Sequence, residues 1–137
     1  MNNFSPDNCQ TADKMVAEQI LARNIRDPEL LEAFRQVPRH LFVDDTQRTL
    51  AYSDQPLPIG YGQTISQPYV VAFMIAALQI DKSAWVLEIG TGSGYETAIL
   101  GRLAGNVFAI EPIVERSQRA QNAVSYKPLN LLTTHAL

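Results

Sequence analysis

Hydrophobic positions in the first 80 residues recur at helical spacing in three stretches. This pattern predicts helices at about residues 13–22, at residues 27–37 and from Pro68 onward. Asp27 can cap the second of these helices, Pro28 suits its first turn, and Pro38 disfavours its continuation. Residues 51–68 contain three prolines and two glycines. That composition favours an ordered loop, with room for a short extended piece.

The second half of the chain changes to short apolar runs on either side of a glycine-rich segment. Residues 84–89 are rich in β-formers and too short for a helix, whereas helical spacing resumes at residues 95–103. A second strand is predicted at residues 106–110, with Gly105 well placed at the end of the preceding helix. A further helix follows. This alternation of strands and helices predicts an α/β fold with a parallel, doubly wound sheet behind a helical N-terminal subdomain.

Glycine occupies every second position of the segment after the first predicted strand, at Gly90, Gly92 and Gly94. A residue without Cβ can take positive φ and lets the backbone approach a ligand closely. Glu88 stands just before these glycines, and Glu111 ends the next strand, nineteen positions after Gly92. That separation suits a carboxylate that holds the two ribose hydroxyls of an adenosine. The segment is therefore predicted to bind a nucleoside cofactor.

The glycine spacing separates two classes of cofactor. A dinucleotide fingerprint needs a third glycine where this chain has Tyr95. The acid at Glu88 would also disfavour a pyrophosphate, but it suits a ligand with a cationic end. S-adenosylmethionine fits, since it carries an adenosine, a sulfonium and an ammonium group and no phosphate. The alternative is a glycine-rich turn in some other α/β protein.

Composition limits the partners and the compartment that are expected. A net charge of −3 and a pI near 5.3 give no electrostatic footprint for nucleic acid. No apolar run approaches the length of a membrane span, and the polar start of the chain lacks the features of a signal peptide, so cytoplasmic residence is the default. The single cysteine, Cys9, excludes an intramolecular disulfide, and no metal-ligand spacing occurs.

Three segments in a fixed order carry a more specific signal. Residues 37–43 read VPRHLFV, residues 51–68 read AYSDQPLPIGYGQTISQP, and the glycine loop around Gly92 follows. Together they resemble the protein-L-isoaspartate (D-aspartate) O-methyltransferases over roughly residues 15–124, and residues 63–68 narrow the resemblance to this family. The resemblance implies a Rossmann-like S-adenosylmethionine-dependent methyltransferase fold. It also implies methylation of the carboxylate of L-isoaspartyl residues in damaged proteins or peptides, as a step of protein repair.

The resemblance also assigns roles to individual residues. Ser66 matches the family's active-site serine, whose hydroxyl can orient the acceptor carboxylate; the alternative for this residue is a helix N-cap. Thr64 lies in the same segment, which in the family lines the cofactor and the substrate. Glu88 matches the acidic position at the start of the loop, and Glu111 matches the ribose-binding acid. The loop glycines supply close backbone approach.

The resemblance is expected to weaken after about Val124. We predict a helical N-terminal subdomain with the substrate and cofactor loop in residues 1–80, the first half of an S-adenosylmethionine-binding domain in residues 81–124, and an unplaced tail in residues 125–137. The strand at residues 84–89 is apolar enough to be buried on both faces but lacks a neighbour on one edge, which predicts an incomplete parallel sheet. A truncated family member with reduced or no activity is therefore expected. An active enzyme, or a non-catalytic S-adenosylmethionine-binding or interaction module, is the alternative, and the oligomeric state is left open.

Overall fold

The computed structural model describes the backbone of residues 6–124 and 131–135 and the side chains of residues 11–123. Five helices lie in these residues, at α1 (Pro6–Met15), α2 (Pro28–Gln36), α3 (Pro68–Leu78), α4 (Tyr95–Leu103) and α5 (Val114–Val124). The strands are β1 (Leu57–Gly60), β2 (Gln63–Ile65), β3 (Trp85–Ile89), β4 (Asn106–Glu111) and β5 (Leu131–His135). Short turns of π or 3₁₀ helix occur at Val16–Ile20, Leu21–Arg23, Arg39–Phe42 and Asp45–Leu50.

The first helix begins at Pro6, well before the predicted start near Asp13. A proline suits the first turn of a helix, but the turns that follow Pro6 carry few apolar residues. Ala12 and Met15 are buried. Hydrophobic periodicity therefore detects the apolar end of this helix and misses its polar start. The second helix agrees with the prediction, since the Asp27 carboxylate caps it by accepting hydrogen bonds from two backbone N–H groups.

Residues 57–65, within the segment predicted as an ordered loop with room for a short extended piece, form an antiparallel hairpin of β1 and β2. The side chains of Leu57, Ile59 and Ile65 are buried, so one face of the hairpin packs on the core. The turn contains three consecutive residues with positive φ, at Gly60 (87°), Tyr61 (54°) and Gly62 (68°). The glycines that indicated a loop therefore allow a tight turn between two short strands.

Strands β3, β4 and β5 form a parallel sheet in that order, with Trp85 opposite Asn106 and Val107 opposite Leu131. The parallel arrangement confirms the prediction. Strand β5 corrects a different prediction, that of an unplaced tail in residues 125–137. In the described sheet β3 lies at an edge, with β4 as its one neighbour.

One face of this sheet is covered and the other is bare in the described part of the chain. Helix α4 packs near β4 on the covered face, where Val107 and Ala109 are buried. On the opposite face, the side chains of Trp85, Leu87 and Ile89 are 73%, 59% and 78% exposed. The prediction that this strand is buried on both faces is therefore wrong for the described residues. We refer to these three side chains as the bare sheet face.

Helices α2 and α4 join the two halves of the chain in one core. Phe34 of α2 and Phe42 both contact the ring of Tyr95 edge-on, with ring centroids 6.1 and 5.6 Å apart. Tyr95 is the residue that stands where a dinucleotide fingerprint has glycine. Its ring is almost completely buried, so this position is used for packing. Among residues 6–124 and 131–135, no helix is long and apolar enough to cross a membrane.

Gly105 follows the helix cap Ala104, at the predicted position, but without the left-handed backbone that glycine commonly adopts there. Its φ is not positive, whereas a Cβ there would lie 2.3 Å from the carbonyl oxygen of Lys82. We expect Gly105→Ala to lower the free energy of unfolding by about 1 to 3 kcal/mol, because the backbone must move apart. Urea unfolding of the two proteins measures the difference. An unchanged midpoint would show that the backbone at Lys82 can move away from a Cβ at position 105 without loss of stability.

Candidate functional site

A cleft of about 360 Å³ lies between the β1–β2 hairpin, the glycine loop and the ends of β3 and β4. It brings together six of the seven residues that the sequence predicts for catalysis or cofactor binding, namely Thr64, Ser66, Glu88, Gly90, Gly92 and Glu111. The seventh, Gly94, does not line the cleft. It precedes α4 with a φ of 86° and is the N-cap residue of that helix. The predicted residues therefore lie together in space, although their roles stay predictions.

The glycine loop is held against the end of β4. The backbone N–H of Gly90 donates to the carbonyl oxygen of Ile110 at 2.7 Å, and that of Gly92 donates to Glu111 Oε2 at 2.9 Å. A Cβ on Gly92 would meet Ile59 Cδ1 at 3.6 Å, which is an ordinary contact. Its φ of 58° is what favours glycine at this position. The loop conformation therefore depends on backbone geometry and on the Glu111 carboxylate.

Glu111 is almost buried, with 4% of its surface exposed, and both of its carboxylate oxygens have protein partners. Oε1 accepts a hydrogen bond from the backbone N–H of Ile113 at 3.0 Å and lies 3.8 Å from Arg116 Nη1. A carboxylate offers about four acceptor positions, so a ligand hydroxyl can still be accommodated. Glu111 can therefore stabilise the loop and bind a ligand at the same time.

Glu88 is only partly exposed and accepts a hydrogen bond from the hydroxyl of Thr97. Burial raises the pKa of its carboxyl group to about 7, the Thr97 hydrogen bond opposes this shift, and the nearby Glu96 and Glu111 add to it. Burial also raises the pKa of Glu96. Three carboxyl groups therefore line the cleft, and a cationic ligand would favour the charged forms of Glu88 and Glu96.

Ser66 lies between β2 and α3. The N-cap of α3 is Gln67, without a side-chain capping bond, so the alternative that Ser66 is merely a helix cap is wrong. The carbonyl oxygen of Ser66 accepts a hydrogen bond from Arg39 Nη2 at 2.7 Å, and Arg39 Nε donates to the carbonyl of Ala51 at the same distance. Arg39 is fully buried with its guanidinium 4.7 Å from the centre of the Tyr95 ring. It thus joins the Ser66 segment to the start of α4.

Among the cleft residues that sequence reasoning missed, Glu96 and Arg116 are the charged ones. Glu96 lies in the first turn of α4, where an acidic side chain stabilises the helix through its dipole, so its sequence position does not indicate a binding role. Arg116 stands among polar residues of α5 and gives no motif. The signal that could have found it is its position five residues after Glu111, on the first turn of the helix that follows β4. Among the described residues, no group of three or more His, Cys, Asp or Glu side chains could hold a metal ion.

The model of one protein family matches residues 10–136, and it is described as Protein-L-isoaspartate(D-aspartate) O-methyltransferase (PCMT). The chain belongs to this family. The match continues past Val124, where the resemblance was expected to weaken, and it includes β5. Strand β5 is thus part of the region that this chain shares with other protein-L-isoaspartate O-methyltransferases.

Curated relatives agree with this assignment. The protein-L-isoaspartate O-methyltransferase of Picosynechococcus sp. is 54% identical over 109 residues, which cover 80% of this chain and 49% of the relative. One such enzyme of Rhodopseudomonas palustris is 55% identical over 113 residues, covering 82% of this chain and 46% of the relative. The chain therefore spans about half the length of these protein-L-isoaspartate O-methyltransferases.

Solved structures of the family have the same fold. A putative protein-L-isoaspartate O-methyltransferase from Plasmodium falciparum, crystallised with S-adenosyl-L-homocysteine, matches 91% of this chain and 62% of its own, with a TM-score of 0.77 and 19% identity. A second protein-L-isoaspartate O-methyltransferase matches 90% of this chain and 41% of its own, with a TM-score of 0.78 and 24% identity. The predicted Rossmann-like methyltransferase fold is confirmed.

Proposed function

We propose that the chain forms the cofactor-binding part of a cytoplasmic enzyme that transfers a methyl group from S-adenosylmethionine to the carboxylate of L-isoaspartyl residues in damaged proteins. The observation that carries the proposal is the convergence of Thr64, Ser66, Glu88 and Glu111 on one cleft beside the glycine loop. These positions were predicted from separate segments of the sequence. Their juxtaposition supports one shared site.

The chemistry of the cleft fits S-adenosylmethionine. Glu111, at the end of β4, supplies acceptor oxygens for ribose hydroxyls, and the glycine loop allows the cofactor to approach the backbone. The Glu88 carboxyl group, whose pKa is about 7, gains a favourable partner when a cationic ligand enters. The carboxyl-rich lining favours this cofactor over a dinucleotide, since a pyrophosphate would add two further negative charges.

The reaction requires little acid–base chemistry from the protein. An isoaspartyl carboxylate is already ionised at neutral pH and can act as the nucleophile without a general base. When bound, S-adenosylmethionine supplies a methyl group that is activated by its sulfonium. The task left to the chain is to orient the acceptor and to exclude water. We assign the orienting role to the Ser66 hydroxyl, because its segment lines the cleft and is held in place by Arg39.

Two assays test the proposal. Calorimetric titration with S-adenosyl-L-homocysteine is expected to show binding, and incubation of an isoaspartyl peptide with methyl-labelled S-adenosylmethionine is expected to transfer the label. We expect Ser66→Ala to lower kcat by about tenfold to a hundredfold with little change in cofactor affinity, because it removes one orienting hydrogen bond. Ser83→Ala is the matched control, since Ser83 is exposed, does not line the cleft and bonds to the nearby Asp81.

The alternative of a non-catalytic binding module makes a different prediction for the same two assays. A module binds S-adenosyl-L-homocysteine but transfers no label to any isoaspartyl peptide. Failure to bind the cofactor analogue would contradict both the enzyme and the module. Label transfer that is unaffected by Ser66→Ala would preserve the enzyme and remove the role assigned to Ser66.

A further inference from the structure

Arg116 contacts both walls of the cofactor cleft. It lies on α5 with only 6% of its surface exposed, and its Nη1 is 3.8 Å from Glu111 Oε1 at the end of β4. On the other side, Nη2 donates to the carbonyl oxygen of Gly60 at 3.3 Å. The guanidinium also lies 5.3 Å from the centre of the Tyr61 ring at the hairpin turn. One buried side chain thus joins the hairpin turn to the predicted ribose-binding carboxylate.

The charged side chains that line the cleft indicate what the Arg116 contact does. Glu88, Glu96 and Glu111 are all cleft residues, whereas Arg116 is the one arginine or lysine among the lining residues. A buried carboxylate such as that of Glu111 is costly unless it is paired and hydrogen-bonded. Two backbone N–H groups already bond to Glu111, and Arg116 supplies the positive charge. Without Arg116, the described lining of the cleft would carry three carboxyl groups and no cationic side chain.

We propose that Arg116 is a positioning residue, which holds the Glu111 carboxylate in place for the cofactor ribose and fixes the hairpin turn against α5. This inference rests on the proposed function, because it requires Glu111 to accept hydrogen bonds from S-adenosylmethionine. The guanidinium acts through Glu111 and the hairpin. Its planar set of donors serves two partners at once, which a lysine ammonium does less well.

A merely structural role for Arg116 makes a different prediction. If Arg116 only stabilised the fold, its replacement would change ligand affinity to the same extent whether or not Glu111 carries a charge. If Arg116 acts through the Glu111 carboxylate, the two substitutions are coupled, and the second has less effect once the first is made. Glu111→Gln is suitable for this comparison, because it removes the charge and nearly preserves the shape.

The experiment is a double-mutant cycle read out by calorimetric titration with S-adenosyl-L-homocysteine. We expect Arg116→Met to weaken binding about tenfold in the otherwise unchanged chain and less than about threefold when Glu111→Gln is present. Arg116→Lys is expected to lie between the unchanged chain and Arg116→Met. Arg119→Met, on the same helix, is the control, since Arg119 is exposed and pairs with Asp44, and it should leave binding unchanged.

The outcomes separate this inference from the proposed function. If the unchanged chain does not bind S-adenosyl-L-homocysteine, the proposed function fails and this inference fails with it. If the chain binds but Arg116→Met has no effect, or has equal effects in the two backgrounds, only the inference is overturned. Thermal unfolding of each variant shows whether it is folded. If Arg116→Met does not fold, Arg116→Lys is measured in the chain with Glu111 and in the chain with Glu111→Gln. Equal effects of Arg116→Lys on affinity in the two chains would then overturn the inference.

Discussion

Replacement of Glu88 by glutamine is expected to stabilise the folded chain at pH 8 by about 3 kcal/mol and to have a much smaller effect at pH 4.5. The pKa of this carboxyl group is about 7 in the folded chain, against an ordinary value of 4.5. Folding therefore favours the protonated form. The stability that this preference contributes is fully present below pH 4.5 and is lost as the pH rises through 7. Glutamine is neutral at every pH and avoids the loss.

Urea unfolding of the two proteins at pH 4.5 and pH 8 measures this effect. Glu115→Gln is the matched control, because Glu115 is an exposed acid on α5 and its replacement should leave stability nearly unchanged at both values. Equal gains in stability for Glu88→Gln at the two pH values would contradict the burial of the Glu88 charge.

The same substitution should weaken binding of S-adenosylmethionine more than that of S-adenosyl-L-homocysteine, which lacks the sulfonium charge. The Glu88 carboxylate would then lower the free energy of unfolding at pH 8 while it raises the affinity for the cofactor.

Replacement of Arg39 by methionine is expected to lower the free energy of unfolding by about 2 to 5 kcal/mol. The substitution leaves the carbonyl oxygens of Ala51 and Ser66 without the donors that now lie 2.7 Å from each. A buried acceptor without a partner costs about 1 to 3 kcal/mol. Loss of the contact between the guanidinium and the Tyr95 ring adds to this cost. The substitution also releases the segment that carries Ser66.

Denaturant unfolding of Arg39→Met, Arg39→Lys and Arg35→Met provides the comparison. Arg39→Lys keeps a charge but has a single donor group, so an intermediate loss is expected. Arg35 is exposed on α2 and pairs with Asp13 and Glu32 at 3.4 and 3.7 Å, so its replacement should cost less than about 1 kcal/mol. Similar losses for Arg39→Met and Arg35→Met would show that the carbonyls of Ala51 and Ser66 find other donors.

The sequence predicted those parts of the fold and site that depend on local order. The strand, glycine loop and helix are consecutive, and Glu111 is separated from Gly92 by a spacing that the intervening helix and strand determine. Capping of α2 by Asp27 likewise involves only the next few residues. Such features are encoded within about 20 residues, so periodicity and turn chemistry were sufficient.

The remaining features depend on residues that are distant in the chain. Arg39 donates to Ser66, 27 residues away, and Arg116 donates to Gly60, 56 residues away. Charge favours exposure for both side chains, and neither the apolar residues around Arg39 nor the polar residues around Arg116 identify the distant carbonyl groups to which they donate. The hairpin was missed for a different reason. Its prolines and glycines predicted irregular structure, whereas burial of Leu57, Ile59 and Ile65 against the core stabilises two short strands.

The bare sheet face also provides an optical signal. Trp85 is the chain's single tryptophan, and its exposed ring stacks on Phe108 with 5.8 Å between ring centroids. Glu88 of the same strand lines the cleft, whereas Trp85 does not. Tryptophan fluorescence should therefore shift to shorter wavelength when a polypeptide covers this face of the sheet, and should change little when a ligand enters the cleft. Emission spectra can thus distinguish the two kinds of binding without an added label.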